Sequence, residues 1–118
     1  MLRLSRPDGL GTLQPMDVQD LQRRLRAFAE ARHWQPYLTP KNLAMALMVE
    51  AAELVEIFQW KTAEESLALD EPTREHLGEE IADVLMYLLQ IADRSGVDVA
   101  DAVERKLLKN AVKYPEPA

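Results

Sequence analysis

Apolar residues follow one another at helical intervals along most of the chain, starting after residue 16. The first apolar stripe lies at intervals of three and four residues and consists of Val18, Leu21, Leu25 and Phe28. Such spacing puts its members on one side of a helix. Asp17 is a suitable N-cap, and the segment Trp34-Gln35-Pro36 ends the helix. Residues 1–16 contain two prolines and two glycines without periodicity, which predicts an irregular arm.

The second predicted helix is apolar on nearly all of its surface. Thr39 is a hydroxyl N-cap and Pro40 suits the first turn, so we expect the helix to run from there to about Trp60. One apolar stripe comprises Leu43, Leu47, Leu54 and Ile57, and most of the remaining surface is covered by Met45, Met48, Val49, Ala52 and Val55. A helix of this kind is buried on several sides, which in a small domain predicts packing against a second subunit.

A short connecting helix and a third long helix come next. The segment Thr62-Ala63-Glu64-Glu65 has a capping-box pattern, which predicts a connecting helix through Leu69. Asp70-Glu71-Pro72 opens the third long helix and Ser95-Gly96 closes it. Its apolar stripe consists of Leu77, Val84, Leu88 and Ile91.

The last predicted helix runs from its N-cap Asp98 to Tyr114-Pro115. The chain is therefore expected to be all-α, with four main helices and no strands. The predicted architecture is a four-helix bundle, oligomeric, with helices packed across a subunit interface. We place the irregular arm at residues 1–16 and the helical domain at residues 17–115.

Composition limits the classes of function. A chain of 118 residues forms one domain, and its net charge of −6 argues against binding polymeric nucleic acid. The absence of cysteine removes disulfides, thiolate metal sites and cysteine catalysis. No apolar run approaches the ~20 residues that span a bilayer, and the first residues lack the apolar core of a signal peptide. We expect a cytoplasmic protein.

Two acidic pairs interrupt the apolar surfaces of the second and third long helices, Glu50-x-x-Glu53 and Glu80-x-x-Asp83. Acidic pairs on helices most often form a solvated face paired with lysines. Glu50, however, lies within the apolar arc of its helix and has no basic residue three or four positions away. Burying an unpaired carboxylate is costly, and two buried close together force one to stay protonated.

A divalent cation shared by both pairs removes that cost. Two facing helices that each carry acids at i and i+3 can direct three or four carboxylates at one point. Hard oxygen ligands without histidine or cysteine favour Mg²⁺, with Mn²⁺ as a substitute, over zinc. The pattern therefore predicts a metal site.

These residues resemble the MazG-like all-α nucleoside triphosphate pyrophosphohydrolases. The paired motifs Glu50-x-x-Glu53 and Glu80-x-x-Asp83 match that family's acidic motifs. Further matching segments are Thr39-Pro40-Lys41-Asn42-Leu43, Phe58-Gln59-Trp60 and Lys113-Tyr114-Pro115. In combination they are most similar to the branch that includes the dCTP pyrophosphatases, over roughly Asp17 to Pro115.

The resemblance implies a helical dimer or tetramer that hydrolyses an NTP or dNTP to the monophosphate and pyrophosphate. The metal-binding acids of the family are matched by Glu50, Glu53, Glu80 and Asp83. Polar positions that contact the phosphates are matched by Lys106, Asn110 and Lys113, and aromatic positions near the nucleotide by Trp34, Trp60 and Tyr87. The chain has Tyr37-Leu38 where relatives often carry Phe-His, and Leu25 where a dCTP-specific relative would carry a polar residue, which leaves the base preference open.

The chemistry of these residue types agrees with that reaction. Bound Mg²⁺ neutralises a triphosphate and polarises its P–O bonds. Glu53 or Glu50, if not fully committed to metal, is the candidate for activating water. Plainer roles remain for the other residues: aromatic side chains at helix ends often cover a core, and lysines suit the negative end of a helix dipole.

Other functions share parts of this pattern. A dUTP or phosphoribosyl-ATP pyrophosphohydrolase would use the same architecture and acidic pairs. A ferritin-like di-iron protein would require Glu-x-x-His on two inward faces, and the two acidic pairs here contain no histidine. A non-catalytic helical adaptor, binding metal or carrying its acids incidentally, is the third alternative.

Overall fold

The structure is a computed structural model that describes residues 4–5, 12–13 and 15–118. The helices are α1 (Val18–Ala31), α2 (Pro40–Phe58), α3 (Ala63–Ser66), α4 (Glu71–Ser95) and α5 (Val99–Lys113), with a 3-10 helix (Gln35–Tyr37) between α1 and α2. Four long helices with one short connecting helix confirm the predicted element order and the all-α class. None of the helices among the described residues combines the length and the apolarity that crossing a bilayer requires.

The predicted N-caps begin the four long helices. In each case a side-chain oxygen accepts a hydrogen bond from the backbone N–H three residues later, at 2.9 to 3.2 Å, and the caps are Asp17, Thr39, Asp70 and Asp98. Thr62 and Glu65 form both hydrogen bonds of the predicted capping box at α3. These contacts satisfy backbone donors that have no partner within the helix.

α1 ends at Ala31, earlier than the predicted stop at Trp34-Gln35-Pro36. His33 adopts a left-handed conformation with φ of 57°. The N–H of Trp34 donates to the carbonyl of Ala29 at 3.0 Å, and the N–H of His33 donates to that of Glu30 at 3.1 Å. This pair of hydrogen bonds is a Schellman motif, which stops the helix and turns Trp34 back towards α1.

α2 and α4 form an antiparallel pair, and α1 packs against α4. The direction follows from two contacts: Ile57 lies near Thr73 at one end of the pair, and Glu50 lies near Asp83 further along it. The buried apolar side chains are Ala29, Leu43, Leu89 and Ala92, so the core lies where α1, α2 and α4 meet.

The described part of one chain does not form the predicted four-helix bundle, because α5 packs extensively against no other element. No residue of α5 is buried. The radius of gyration is 17.5 Å, compared with about 13 Å for a compact domain of 100 residues. Within one chain, three of the long helices, α1, α2 and α4, pack together. The predicted packing across a subunit interface stays a prediction.

A short strand pair differs from the prediction of no strands. Leu4–Ser5 pairs antiparallel with Thr12–Leu13. Strands of two residues are too short to produce a recognisable alternation of apolar and polar positions. The remainder of the predicted irregular arm up to residue 14 lies outside the described residues, and the boundary at residue 17 stays a prediction.

Candidate metal and nucleotide site

Three carboxyl groups converge between α2 and α4. Glu50 on α2 and Glu80 and Asp83 on α4 each offer a carboxylate oxygen, and these atoms all lie within 4.8 Å of one another. On α4 the i and i+3 spacing puts both acids on one face of the helix. The antiparallel neighbour α2 supplies the third, so these three members of the predicted acidic set meet.

The cluster has the properties of a cation site. The side chain of Glu80 is buried at 6% exposure in an otherwise apolar core. The Oε2 atoms of Glu50 and Glu80 are both buried, and neither has a hydrogen-bond partner within the part of the chain that the structure describes. Buried acceptors without a donor are costly, whereas a hard divalent cation takes carboxylate oxygens as ligands. Orphaned oxygens on converging acids therefore fit a metal ion.

Electrostatics at Glu50 lead to the same interpretation. The pKa of Glu50 is raised to about 7, first by the neighbouring carboxyl of Glu80 and then by desolvation, by the adjacent carboxyl of Glu53 and by the negative charges of Glu53 and Asp83. Without a cation, a proton is thus held within the cluster up to near-neutral pH. A bound divalent cation would compete with that proton.

Glu53 lies beside the cluster of three and is not part of it. Its carboxyl interacts with Glu50, and its side chain lines an open concavity of about 410 Å³ together with Glu56, Ile57, His76 and Glu80. Sequence reasoning did not select His76 for this site, although it stands four residues before Glu80 and thus on the same face of α4. Glu53 therefore has solvent access on the side of the cluster where water can enter.

An aromatic cavity adjoins the acidic cluster. It has a volume of about 170 Å³ and is lined by Leu25, Phe28, Ala29, Trp34, Leu38, Asp83, Met86, Tyr87 and Gln90. The rings of Phe28 and Trp34 pack edge to face with centroids 5.7 Å apart. Asp83 belongs both to this cavity and to the acidic cluster. Two of the three predicted aromatic residues, Trp34 and Tyr87, are therefore next to the acidic cluster.

Tyr87 connects the cavity and the cluster electrostatically. Desolvation raises the pKa of Tyr87, and the negative charges of Glu50 and Asp83 raise it further. Its hydroxyl is therefore kept in the neutral form, in which it can donate a hydrogen bond.

The remaining predicted site residues lie elsewhere in this chain. Trp60 follows α2 and its side chain is 89% exposed. Lys106, Asn110 and Lys113 are on α5, which does not pack against α2 or α4 extensively. A single chain therefore does not bring these four residues to the acidic cluster, and their substrate contacts stay predictions.

The model of the MazG-like family matches residues 45–118, which include both acidic pairs and α5. The chain belongs to the MazG-like family. The resemblance inferred from the acidic pairs is thereby confirmed, and the match covers more than half of the sequence.

Curated relatives of this MazG-like chain include dCTP pyrophosphatase 1 of Mus musculus, which is 40% identical over 100 residues. The protein of the same name from Homo sapiens is 41% identical over 100 residues. Each alignment covers 83% of this chain and 59% of the relative, so the chain spans about three fifths of the length of these relatives. The resemblance to the dCTP pyrophosphatase branch is also confirmed.

A solved structure supports the fold assignment. A pyrophosphatase from Archaeoglobus fulgidus DSM 4304 superposes with a TM-score of 0.79 at 42% sequence identity. The superposition covers 88% of this chain and 97% of that chain. Because the superposition covers nearly all of the solved chain, the two proteins share the same arrangement of helices.

Proposed function

We propose that this chain is a Mg²⁺-dependent nucleoside triphosphate pyrophosphohydrolase, which converts a (d)NTP and water to the (d)NMP and pyrophosphate. dCTP or a modified pyrimidine nucleotide is the proposed substrate. The observation that carries the proposal is the pair of orphaned carboxylate oxygens on Glu50 and Glu80 beside an aromatic cavity. The similarity to two dCTP pyrophosphatases supports the reaction class.

Glu50, Glu80 and Asp83 would hold the cation, whereas Glu53, the fourth acid of the predicted metal set, lies beside these three. Mg²⁺ at this position would supply charge neutralisation for the triphosphate and polarisation of its P–O bonds. Mn²⁺ has the same preference for oxygen ligands and is the proposed substitute.

Glu53 is the proposed general base, with Glu50 as the second candidate. Glu53 interacts with Glu50 and borders the open concavity, so water can reach its carboxylate. It stands outside the group of three converging acids, which leaves its oxygens free to orient a water molecule and accept a proton.

The aromatic cavity is the proposed site for the base. Its volume of about 170 Å³ is smaller than the roughly 300–1,000 Å³ of pockets for drug-sized ligands. It is therefore sized for a single ring, with the sugar and phosphates extending towards Asp83. Trp34 and Tyr87 would contact the ring, and stacking on an indole contributes without selecting among bases.

The working enzyme is proposed to be a homodimer or homotetramer. Large apolar side chains on α2 are more than half exposed, at Met45, Met48, Val49 and Val55. α5 adds another such group at Leu107, Leu108 and Val112. Apolar surface of this extent favours association of subunits. Assembly would also be the means of bringing Trp60, Lys106, Asn110 and Lys113 to a nucleotide.

A substrate panel tests the proposed reaction. The protein is incubated with Mg²⁺ and each NTP, dNTP and phosphoribosyl-ATP in turn, and the products are separated by ion-exchange chromatography. Release of a monophosphate and pyrophosphate from dCTP, or from another NTP or dNTP besides dUTP, is the expected result. Turnover of dUTP or phosphoribosyl-ATP alone would favour the corresponding related enzyme. Lack of turnover across the panel would contradict the proposal.

A further inference from the structure

We propose that Gln90 selects the base, by accepting a hydrogen bond from the exocyclic amino group of a 4-aminopyrimidine. This inference rests on the proposed function, because it assigns a specificity role in the same cavity. Gln90 lies on α4 and lines the aromatic cavity with a half-buried side chain. It is close to Tyr87, three residues earlier on the same helix.

The polar groups of the cavity are few. Five of its lining side chains carry no nitrogen or oxygen, and they are Leu25, Phe28, Ala29, Leu38 and Met86. Asp83 belongs to the acidic cluster, and the indole of Trp34 can only donate. Two polar side chains of the cavity therefore remain to recognise a base, the Tyr87 hydroxyl and the Gln90 amide. Gln90 is the only amide among the described residues that line the cavity.

One hydrogen bond fixes the orientation of this amide. The Nε2 of Gln90 donates to the backbone carbonyl of Met86 at 3.1 Å. A flipped amide would put two acceptor oxygens, Oε1 and the Met86 carbonyl, against each other, so the flipped form is disfavoured. The Oε1 is therefore the amide atom left to meet a ligand. Gln90 borders the aromatic cavity on one side and a second cavity, beside Arg26 and Arg94, on the other.

A fixed acceptor at this position discriminates by chemistry. The 4-amino group of cytosine donates hydrogen bonds, whereas the 4-oxo group of uracil and thymine only accepts them. An amino group facing Oε1 gains a hydrogen bond, while an oxo group leaves two acceptors opposed and unpaired. Leu25, which lines the same cavity from α1, has no polar side-chain atom. The selection of the base would therefore come from α4 rather than from α1.

The test compares two glutamines in similar local settings. Gln22 also donates its Nε2 to a backbone carbonyl of α4, that of Leu89 at 2.9 Å, but it does not line the aromatic cavity. Gln90→Met and Gln22→Met each replace the amide by an unbranched side chain of similar length. Gln90→Leu serves as a second variant at the same position. For each protein, kcat/KM is measured for dCTP and for dUTP with Mg²⁺.

The wild-type protein and Gln22→Met are expected to prefer dCTP by the same ratio. Gln90→Met is expected to reduce that ratio about tenfold or more. The variant loses the hydrogen bond to dCTP, and it also removes the unfavourable contact between two acceptors that disfavours dUTP. An unchanged ratio in an active Gln90 variant would overturn the role of Gln90 and leave the proposed function intact. A wild-type protein that prefers dUTP, or neither base, would overturn the role of Gln90 and the proposed dCTP substrate, and leave the pyrophosphohydrolase reaction intact. A wild-type protein that hydrolyses no nucleotide would overturn both.

Discussion

Glu50 on α2 and Glu80 on α4 face each other across the interface that forms most of the core, and each has one buried oxygen without a hydrogen-bond partner among the described residues. Repulsion between two carboxylates in this position works against the packing of α2 on α4. A divalent cation converts the same contact into a link between the helices. The stability of the protein should therefore be coupled to cation binding at this proposed site.

Replacing Glu80 by Gln tests that coupling. In EDTA, Glu80→Gln should unfold at the same temperature as the wild type or a higher one, because a repulsive charge is removed. Added Mg²⁺ should raise the unfolding temperature of the wild type and not that of the variant. The kcat of Glu80→Gln should fall by more than about 100-fold. Loss of a residue that only supports a metal ligand typically costs roughly 10–100-fold, and Glu80 is a proposed ligand itself.

The neighbouring Glu79, whose side chain is 72% exposed, provides the matched control. Glu79→Gln should keep both the Mg²⁺-dependent stabilisation and the activity. Thermal unfolding followed by circular dichroism, with and without Mg²⁺, measures the first property. A Glu80→Gln protein that Mg²⁺ still stabilises as strongly as the wild type would count against the assigned ligand.

Glu53→Gln should separate catalysis from metal binding. Because Glu53 stands outside the three converging acids, the variant should retain most of the Mg²⁺-dependent rise in unfolding temperature. Its kcat should fall by about 10²–10⁴-fold, as expected when a general base is lost. Glu56→Gln, an exposed acid on the same concavity, is the control and should remain active. Full activity of Glu53→Gln would rule out this base.

The raised pKa of Glu50 predicts how stability depends on pH without metal. Between its usual value of 4.5 and about 7, the folded protein holds a proton that the unfolded chain has released. The free energy of unfolding should therefore fall as pH rises through that window and level off above it. Glu53, Glu80, Asp83 and Tyr87 face this group, and none of them supplies a positive charge.

Urea unfolding in EDTA at pH 5, 6, 7 and 8 measures this dependence. Glu50→Gln should have a flatter profile, because it removes the titrating carboxyl. Mg²⁺ should stabilise the wild type more at pH 8 than at pH 6, since the cation displaces a proton. Equal stabilisation by Mg²⁺ at both values would exclude Glu50 as a ligand.

The exposed apolar face of α2 predicts self-association. Light scattering coupled to size-exclusion chromatography should give the mass of a dimer or tetramer. Met48→Glu puts a charge at a position that is 70% exposed in the single chain, and it should shift the protein towards monomer. Ala63→Glu on the exposed connecting helix α3 is the control and should not change the mass. A monomeric wild type would refute the oligomer.

Local sequence signals predicted the helix starts and the ends of α4 and α5, whereas α2 ends at Phe58 and α3 at Ser66, two and three residues before their predicted ends. The side chains of Thr39 and Asp70 accept hydrogen bonds from backbone N–H groups three residues later in the chain. Such a cap can therefore be recognised without knowing the tertiary structure. The end of α1 was missed because His33 occupies the left-handed position that glycine usually fills. The position of α5 was also missed, because the amphipathic pattern of a helix indicates which face is buried but not which helix or subunit packs against it.

The acidic cluster was more predictable than the aromatic cavity. Glu50 is conspicuous in sequence because a carboxylate interrupts an apolar stripe, and Glu80 and Asp83 repeat the pattern. Gln90 has no such signal, since a glutamine on a helix usually faces solvent. Its proposed role depends on the cavity that α1 and α4 form together, which periodicity within one helix does not describe.

The most direct test of the central claim is a product analysis of dCTP hydrolysis in parallel samples with Mg²⁺ and with EDTA. If Glu50, Glu80 and Asp83 hold a catalytic cation beside the base cavity, the Mg²⁺ sample should contain dCMP and pyrophosphate in equal amounts, and the EDTA sample only dCTP. Formation of dCDP and phosphate, or the same turnover in EDTA, would contradict it.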